Sequence, residues 1–269
     1  MTKKRRLARV FAQDGKSLTL ALDGSYFSSK IEGIDKVIPL IPTFVKHGLD
    51  AVLGTYGMVK RYPDAFQDVG MMLRADMSTN VFDTSVPDTT TVLSVKEALR
   101  LSADGVIVMT FPGAHNEKHT HQAVRELASQ ADEWNVPLIV ESLPYGYAVT
   151  TESSNHAPIL AAAANMAVEL GADVIKTRYS GEPDDLLIAQ YAKVPVLALG
   201  GPKTDDVKAY LSFVNHCLAN GAKGVAVGRN IVQNKSPVAM VAALNALIHK
   251  GDSVESAYQL YQTMCLETM

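Results

Sequence analysis

Eight short runs of apolar and β-branched residues recur along this chain, and helical spacing follows each of them. The first, residues 17–23, alternates Leu18, Leu20 and Leu22 with Thr19, Ala21 and Asp23, the period-two pattern of a strand with two different faces. The others cover 50–53, 69–73, 106–109, 136–140, 174–176, 194–199 and 224–227. Helical spacing follows over 34–46, 58–66, 94–101, 117–134, 158–170, 183–192, 204–220 and 238–249, and a last helix covers 253–263. Ser94 with Glu97 three residues on is a capping-box signature, and Thr204 or Asp205 suits the start of the seventh helix. The third run ends in Arg74-Ala75-Asp76, and the loop from there to about Thr91 is long and polar, a length usual for functional loops.

Strands alternating with helices predict parallel βα units. Neither a composition break nor a Pro/Ser-rich linker divides the chain. Eight units in 269 residues predict an α/β protein with one (β/α)8 TIM barrel domain. A basic N-terminal extension at about 1–12 and C-terminal helices at about 238–263 flank the repeat. An open doubly wound sheet shares much of this local pattern, but no Gly-x-Gly-x-x-Gly follows the first strand, which weakens its dinucleotide-binding form.

Composition narrows the partners. A net charge of −3 argues against nucleic acid, and Lys3-Lys4-Arg5-Arg6 reads as a solvated terminus. Cys217 and Cys265 lie far apart and match reduced thiols rather than a metal-ligand pattern. With no apolar run of membrane-span length and no signal-peptide core, the expectation is a cytoplasmic protein with no membrane partner. His115, His119 and His121 do not share one helical face, so they read as solvated helix-start histidines rather than a metal site.

In such a barrel, chemistry sits at the C-terminal strand ends. Asp23, Arg74, Glu141, Lys176, Lys203 and Arg229 lie at or just beyond those ends, whereas Lys193 and Lys223 precede their strands and belong to the opposite face. Lys176 closes the sixth strand. Desolvation there favours the neutral amine, a nucleophile toward carbonyls; the alternative is a strand-end lysine whose ammonium snorkels to water. Alternation puts Val174 inward with Lys176, and Thr19 and Ala21 inward with Asp23, leaving Leu18, Leu20 and Leu22 to the helices. If the strand continues to Arg178, that residue either favours the neutral lysine or holds an anionic substrate group; otherwise it is a surface arginine. Gly200-Gly201 and Gly228-Arg229-Asn230 follow the seventh and eighth strands, the place where barrels commonly bind phosphate with backbone N–H groups. Arg229 adds a fork-shaped cation for that purpose. The alternative is that these glycines only make tight turns.

Four segments, Ala21-Leu-Asp-Gly24, Gly171-Ala-Asp-Val-Ile-Lys-Thr-Arg-Tyr-Ser-Gly181, Gly200-Gly-Pro-Lys203 and Ala226-Val-Gly-Arg-Asn230, span nearly the whole chain. In order and spacing they resemble the class I, Schiff-base aldolases of the archaeal-type fructose-bisphosphate aldolase group, within the deoxyribose-phosphate aldolase-like barrels. The resemblance implies Lys176 as nucleophile, an active-site aspartate at Asp23, and phosphate binding by Gly200, Gly201, Gly228 and Arg229. It also implies reversible cleavage of a phosphorylated ketose to a triose phosphate, as in glycolysis, without metal or cofactor, in a homo-oligomer. Relatives acting on sugar bisphosphates carry Tyr-Pro-Arg-Gly after the fifth strand, with the tyrosine as proton donor and acceptor. Here Leu143-Pro144-Tyr145-Gly146 puts Leu143 in that place. Tyr145 then reaches the site only through a shifted loop, and Asp23 or Glu141 share the proton transfers. Alternatives are a transaldolase or acyl transferase of the same family, a non-covalent phosphosugar isomerase or synthase, and a sugar-phosphate-binding protein.

Overall fold

Ten strands are present in the computed structural model, which describes residues 2–29, 32–147, 149 and 153–267. They are β1 (Ser17–Ala21), β2 (Ala51–Gly54), β3 (Gly70–Arg74), β4 (Asp76–Ser78), β5 (Thr89–Thr91), β6 (Gly105–Thr110), β7 (Leu138–Ser142), β8 (Val174–Thr177), β9 (Val196–Leu199) and β10 (Gly224–Val227). All but β4 and β5 close into one parallel barrel in the order β1-β10-β9-β8-β7-β6-β3-β2, with helices between successive strands. This is the (β/α)8 barrel expected from the eight apolar runs. The long polar segment holds an unexpected element: β4 pairs antiparallel with β5, Met77 opposite Thr90, a hairpin too short for periodicity to reveal.

The two faces of each strand divide as the alternation requires. Leu18, Leu20, Leu22, Val52, Val140 and Ile175 pack outward in the layer shared with the helices. Ala51, Leu53, Met72, Ile107, Ile139, Val174 and Leu197 fill the barrel interior, with Ala21 against them. Val10 is buried in that same interior cluster, flanked by Leu7 and Phe11. The basic N-terminus is therefore no solvated tail. It forms a helix, Lys3–Leu7, that leads this apolar plug into the barrel mouth opposite the strands' C-terminal ends. Lys3 Nζ pairs with Asp132 at 2.6 Å and Asp173 at 2.8 Å, and Arg6 Nη1 donates to the Ala103 carbonyl at 3.0 Å.

Helix boundaries differ where proline or capping intervenes. The pattern over 34–46 is divided into Ile34–Val37, a 3-10 turn Ile38–Leu40 and Ile41–Lys46, because Pro39 and Pro42 remove donors and force short turns. Asp206 caps the helix Val207–Ala219, accepting from Ala209 N at 2.9 Å, in place of Thr204 or Asp205. The Ser94–Glu97 capping box forms as expected. The C-terminal region holds Pro237–Asn245, the wider turn Ala246–Lys250, and Val254–Glu267. Among the described residues, no helix is long and apolar enough to cross a membrane, and no group of histidine, cysteine and carboxylate side chains is arranged to hold a metal ion.

Candidate active site

Parallel strands end at a common level, so residues far apart in sequence meet at the barrel's C-terminal mouth. Lys176 on β8 stands in register with Glu141 on β7. Its Nζ lies 2.8 Å from Glu141 Oε1, and the two side chains are 7% and 3% exposed. The other Glu141 oxygen, Oε2, accepts from Arg74 Nη2. Arg74 is the last residue of β3 and is fully buried. Its Nε donates to Asp23 Oδ2 at 2.8 Å, Nη2 reaches the same oxygen at 2.7 Å, and Nη1 lies 3.4 Å from Asp76 Oδ1. The Phe27 ring packs against the guanidinium, 4.8 Å from its centre. Asp23 does not lie on the strand as expected: β1 ends at Ala21, and Asp23 starts a 3-10 turn, Asp23–Tyr26. That turn still directs it into the mouth.

The charges of this cluster hold one another. Burial pushes the Glu141 carboxyl up, but the Lys176 ammonium and Arg74 guanidinium outweigh it and keep the group below the ordinary carboxylate value. Burial opposes the Arg74 charge, and the carboxylates of Asp23, Glu141 and Asp76 more than offset it, raising its pKa. Asp76 behaves differently. Burial raises its pKa despite Arg74 and a 3.0 Å hydrogen bond from Met109 N to its Oδ2.

A cavity of about 640 Å³ opens above these groups, lined by Asp23, Glu141 and Lys176 and by the predicted anion-binding loops: Gly200, Gly201, Gly228, Arg229 and Lys203. Backbone packs tightly there. A Cβ on Gly200 would sit 2.9 Å from Val227 Cα and 3.0 Å from the Ala226 carbonyl oxygen, and Gly201 has φ +67°. Asn230, buried behind the turn, ties the two loops together. Its Nδ2 donates to the Gly200 and Pro202 carbonyls, each at 3.0 Å, and its Oδ1 accepts from Thr204 N at 3.1 Å. Arg229 is exposed at the rim, and Lys203 Nζ is held by Asp205 at 2.6 Å and the Thr204 carbonyl at 2.8 Å. The Gly200 N–H is spent on the Ala226 carbonyl at 2.9 Å, so what this wall can offer an anion is the backbone of Gly201 and Gly228 and the Arg229 guanidinium, facing an amine able to attack a carbonyl.

Two sequence-derived candidates stand apart from this group. Tyr145 does not line the cavity. Its residue adopts φ +63° and its ring lies over Gly113, where a Cβ would meet Cε1 at 2.6 Å. Leu143, which the proline alignment puts in the tyrosine's place, is buried with Met109 and Phe111, so that position is apolar. Arg178 follows β8, which ends at Thr177. Its Nη1 donates to the Ser154 carbonyl at 2.9 Å and its Nη2 to the Gly146 carbonyl, so it braces the loop after β7 and is no surface arginine. His119, one of the helix-start histidines, pairs with Asp88 at 3.0 Å.

Residue order alone does not single out Asp76 or Tyr147, and it marks Arg74 only as a strand-end residue. Tyr147 packs against Phe111 and Phe27 with ring centres 4.8 and 5.9 Å apart, and its hydroxyl donates to the Asp88 carbonyl at 3.0 Å. Burial pushes its pKa up to about 12. The repeated Tyr-Gly-Tyr of residues 145–147 was the available signal; backbone direction at Tyr145 decides which ring turns inward.

A family model for DeoC/LacD family aldolases matches residues 12–234. The class 1 fructose-bisphosphate aldolase of Thermoproteus tenax is 32% identical over 253 residues, covering 91% of this chain and 94% of that protein. The 2-amino-4,5-dihydroxy-6-oxo-7-(phosphonooxy)heptanoate synthase of Streptomyces griseus is 32% identical over 250 residues, covering 91% of this chain and 89% of the synthase. A solved structure of the Schiff-base-forming fructose-1,6-bisphosphate aldolase superposes with a TM-score of 0.83 at 30% identity, covering 92% of this chain and 100% of that one.

Proposed function

The chain belongs to the DeoC/LacD aldolase family of lyase-type enzymes, and we propose that it cleaves a phosphorylated ketose reversibly through a Schiff base at Lys176, releasing a triose phosphate. The observation that carries this reading is the buried Lys176 amine beside Glu141, in a cavity whose other wall is framed by Gly200, Gly201, Gly228 and Arg229. A primary amine at that point suits iminium formation, and the wall suits a substrate phosphate.

The neutral Lys176 amine adds to the ketone carbon, giving a carbinolamine; protonation of its oxygen expels water and leaves an iminium. The electrons of the neighbouring C–C bond then move toward the iminium nitrogen as the adjacent hydroxyl loses its proton. An aldehyde departs and an enamine remains on the lysine. Protonation of the enamine carbon and hydrolysis release the second product and return the amine. Asp23, which lines the cavity, is the favoured proton carrier. In the resting site Glu141, held ionised by the Lys176 ammonium and the Arg74 guanidinium, keeps Nζ in place, and the ammonium gives up its proton before attack. Tyr145 has no part in this scheme because its ring lies outside the cavity.

Sodium borohydride with dihydroxyacetone phosphate should add a stable mass to Lys176, located by peptide mass spectrometry. An unlabelled wild-type protein, or a label that persists in Lys176→Ala, rejects the reading. Leu143, at the place of the proton-transferring tyrosine of sugar-bisphosphate relatives, favours a second reading. In it the same Schiff base serves a synthase or transferase, in keeping with the similarity to the S. griseus synthase. Screening phosphorylated ketoses for triose-phosphate release, with and without aldehyde acceptors, separates the two.

A further inference from the structure

Arg74 is an expensive residue to keep. A fully buried cation loses its hydration, and only close carboxylates offset that loss. It is not among the residues lining the cavity, so it does not meet substrate directly. Yet it contacts two carboxylates that do line it: Asp23 through Nε and Nη2, and Glu141 through Nη2. The Glu141 oxygens are divided between two cations, Oε2 to Arg74 and Oε1 to Lys176 Nζ. Displacing the guanidinium therefore displaces the carboxylate that holds the amine. Behind it, Asp76 steadies Nη1 and is itself pinned by the Met109 N–H. On the cavity side the Phe27 ring covers it.

We propose that Arg74 is the positioning residue of this site: its guanidinium, reached from a third strand, aligns Asp23 and Glu141 so that Glu141 presents the Lys176 amine to the substrate carbonyl. This deepens the Schiff-base reading above and rests on it. The fork geometry is essential, because a lysine at this place has a single compact charge and cannot hold Asp23, Asp76 and Glu141 at three separate nitrogens. Glu141 feels Lys176 and Arg74 directly, and the charges of Arg178 and Asp76 also act across the cluster. Removing the Arg74 charge leaves burial opposed chiefly by Lys176, so Glu141 holds its proton to higher pH and then no longer accepts from the ammonium.

The test uses the full chain with Arg74→Met and Arg74→Lys, and two readouts. In the first, the rate of borohydride-trapped adduct at Lys176 is followed from pH 5 to 9 with dihydroxyacetone phosphate. The expected result is a fall of about 10²-fold in Arg74→Met, the scale of a misplaced reacting group. The acid limb should move up by about one unit or more, the size of an arginine's effect on a neighbouring carboxylate, with half-saturating ligand changed less than about threefold. In the second, the Glu141 carboxyl is titrated by carbon-13 NMR without ligand, its signal assigned with Glu141→Gln, and its midpoint should rise in Arg74→Met, where the charge is lost, and by less in Arg74→Lys, where a compact charge remains without the fork. Should Arg74→Met fail to fold, as judged by circular dichroism, Arg74→Lys carries both measurements. An unchanged Glu141 midpoint, or an unmoved acid limb in a folded variant, overturns the proposal. If wild-type Lys176 is never labelled, the Schiff-base reading falls and the NMR titration still decides the role of Arg74.

Discussion

Gly200 has no room for a side chain, since the atoms an added Cβ would meet are backbone atoms of the neighbouring strand. Gly200→Ala should therefore shift the loop after β9, cost about 1–3 kcal/mol of stability by overpacking, and raise the half-saturating concentration of phosphorylated ligands. Urea unfolding and the concentration dependence of borohydride trapping measure the two effects; unchanged ligand dependence would remove Gly200 from the proposed anion-binding wall. Residues of this kind were legible in the sequence because their chemistry is local: a glycine pair after a strand makes a tight turn wherever it occurs. Lys176 was legible for a similar reason, as a lysine closing an apolar strand. Tyr145 was not, because a positive φ at one residue decides where its ring goes. Arg178 likewise turned to the Ser154 and Gly146 carbonyls, partners supplied by a loop that sequence spacing does not locate.

Elements explain how the two rim loops act together. Neither the turn after β9 nor the turn after β10 is rigid by composition; Asn230 joins them with three hydrogen bonds. Asn230→Ala should leave the Gly200 and Pro202 carbonyls and the Thr204 N–H without this partner, at about 1–3 kcal/mol where such a group stays unsatisfied. The expected kinetic signature is a rise of about tenfold in the substrate concentration for half-saturation with a smaller change in the maximal rate. Steady-state kinetics with a phosphorylated ketose checks it, and a maximal rate lost at unchanged half-saturation would contradict it. Strand and helix existence followed from periodicity, but the breaks at Pro39 and Pro42 and the Asp206 cap depended on individual donors and acceptors. The β4–β5 hairpin carries Asp76, and its three-residue strands leave too short a pattern to read.

At the scale of the molecule, closure joins segments that are remote in the chain. His249 sits between Asp14 Oδ2 at 2.9 Å and Asp50 Oδ2 at 3.0 Å, tying the C-terminal region to the segments entering β1 and β2. The hydrogen bond to Asp50 raises its pKa, opposed by burial and aided by Asp14. A raised imidazole stabilises the fold fully below its unfolded value of about 6.5, and that contribution is lost as pH rises through the folded value. His249→Gln should therefore lose up to about 1 kcal/mol near pH 6, as expected for a partly exposed pair, and approach wild type near pH 9. Urea unfolding at the two pH values tests the sign; a larger deficit at pH 9 would reverse it.

Periodicity, turn chemistry and residue type are properties of neighbours in the chain, so the eight βα units, the inward and outward faces of β1 and β8, Lys176 at a strand end and the glycine turns could be read from residues in order. Contacts across the barrel are different in kind. Glu141 meets Lys176 because β7 and β8 pair in one register, and Arg74 reaches Asp23 across 51 residues of chain. The N-terminal segment looked solvated by its charges, yet Val10 enters the barrel interior and Lys3 finds Asp132 and Asp173. Each of these depends on which remote segment closure brings within a few ångströms, and desolvation then makes that partner energetically decisive. The local code places the amine; the closed barrel supplies the buried charges that hold it.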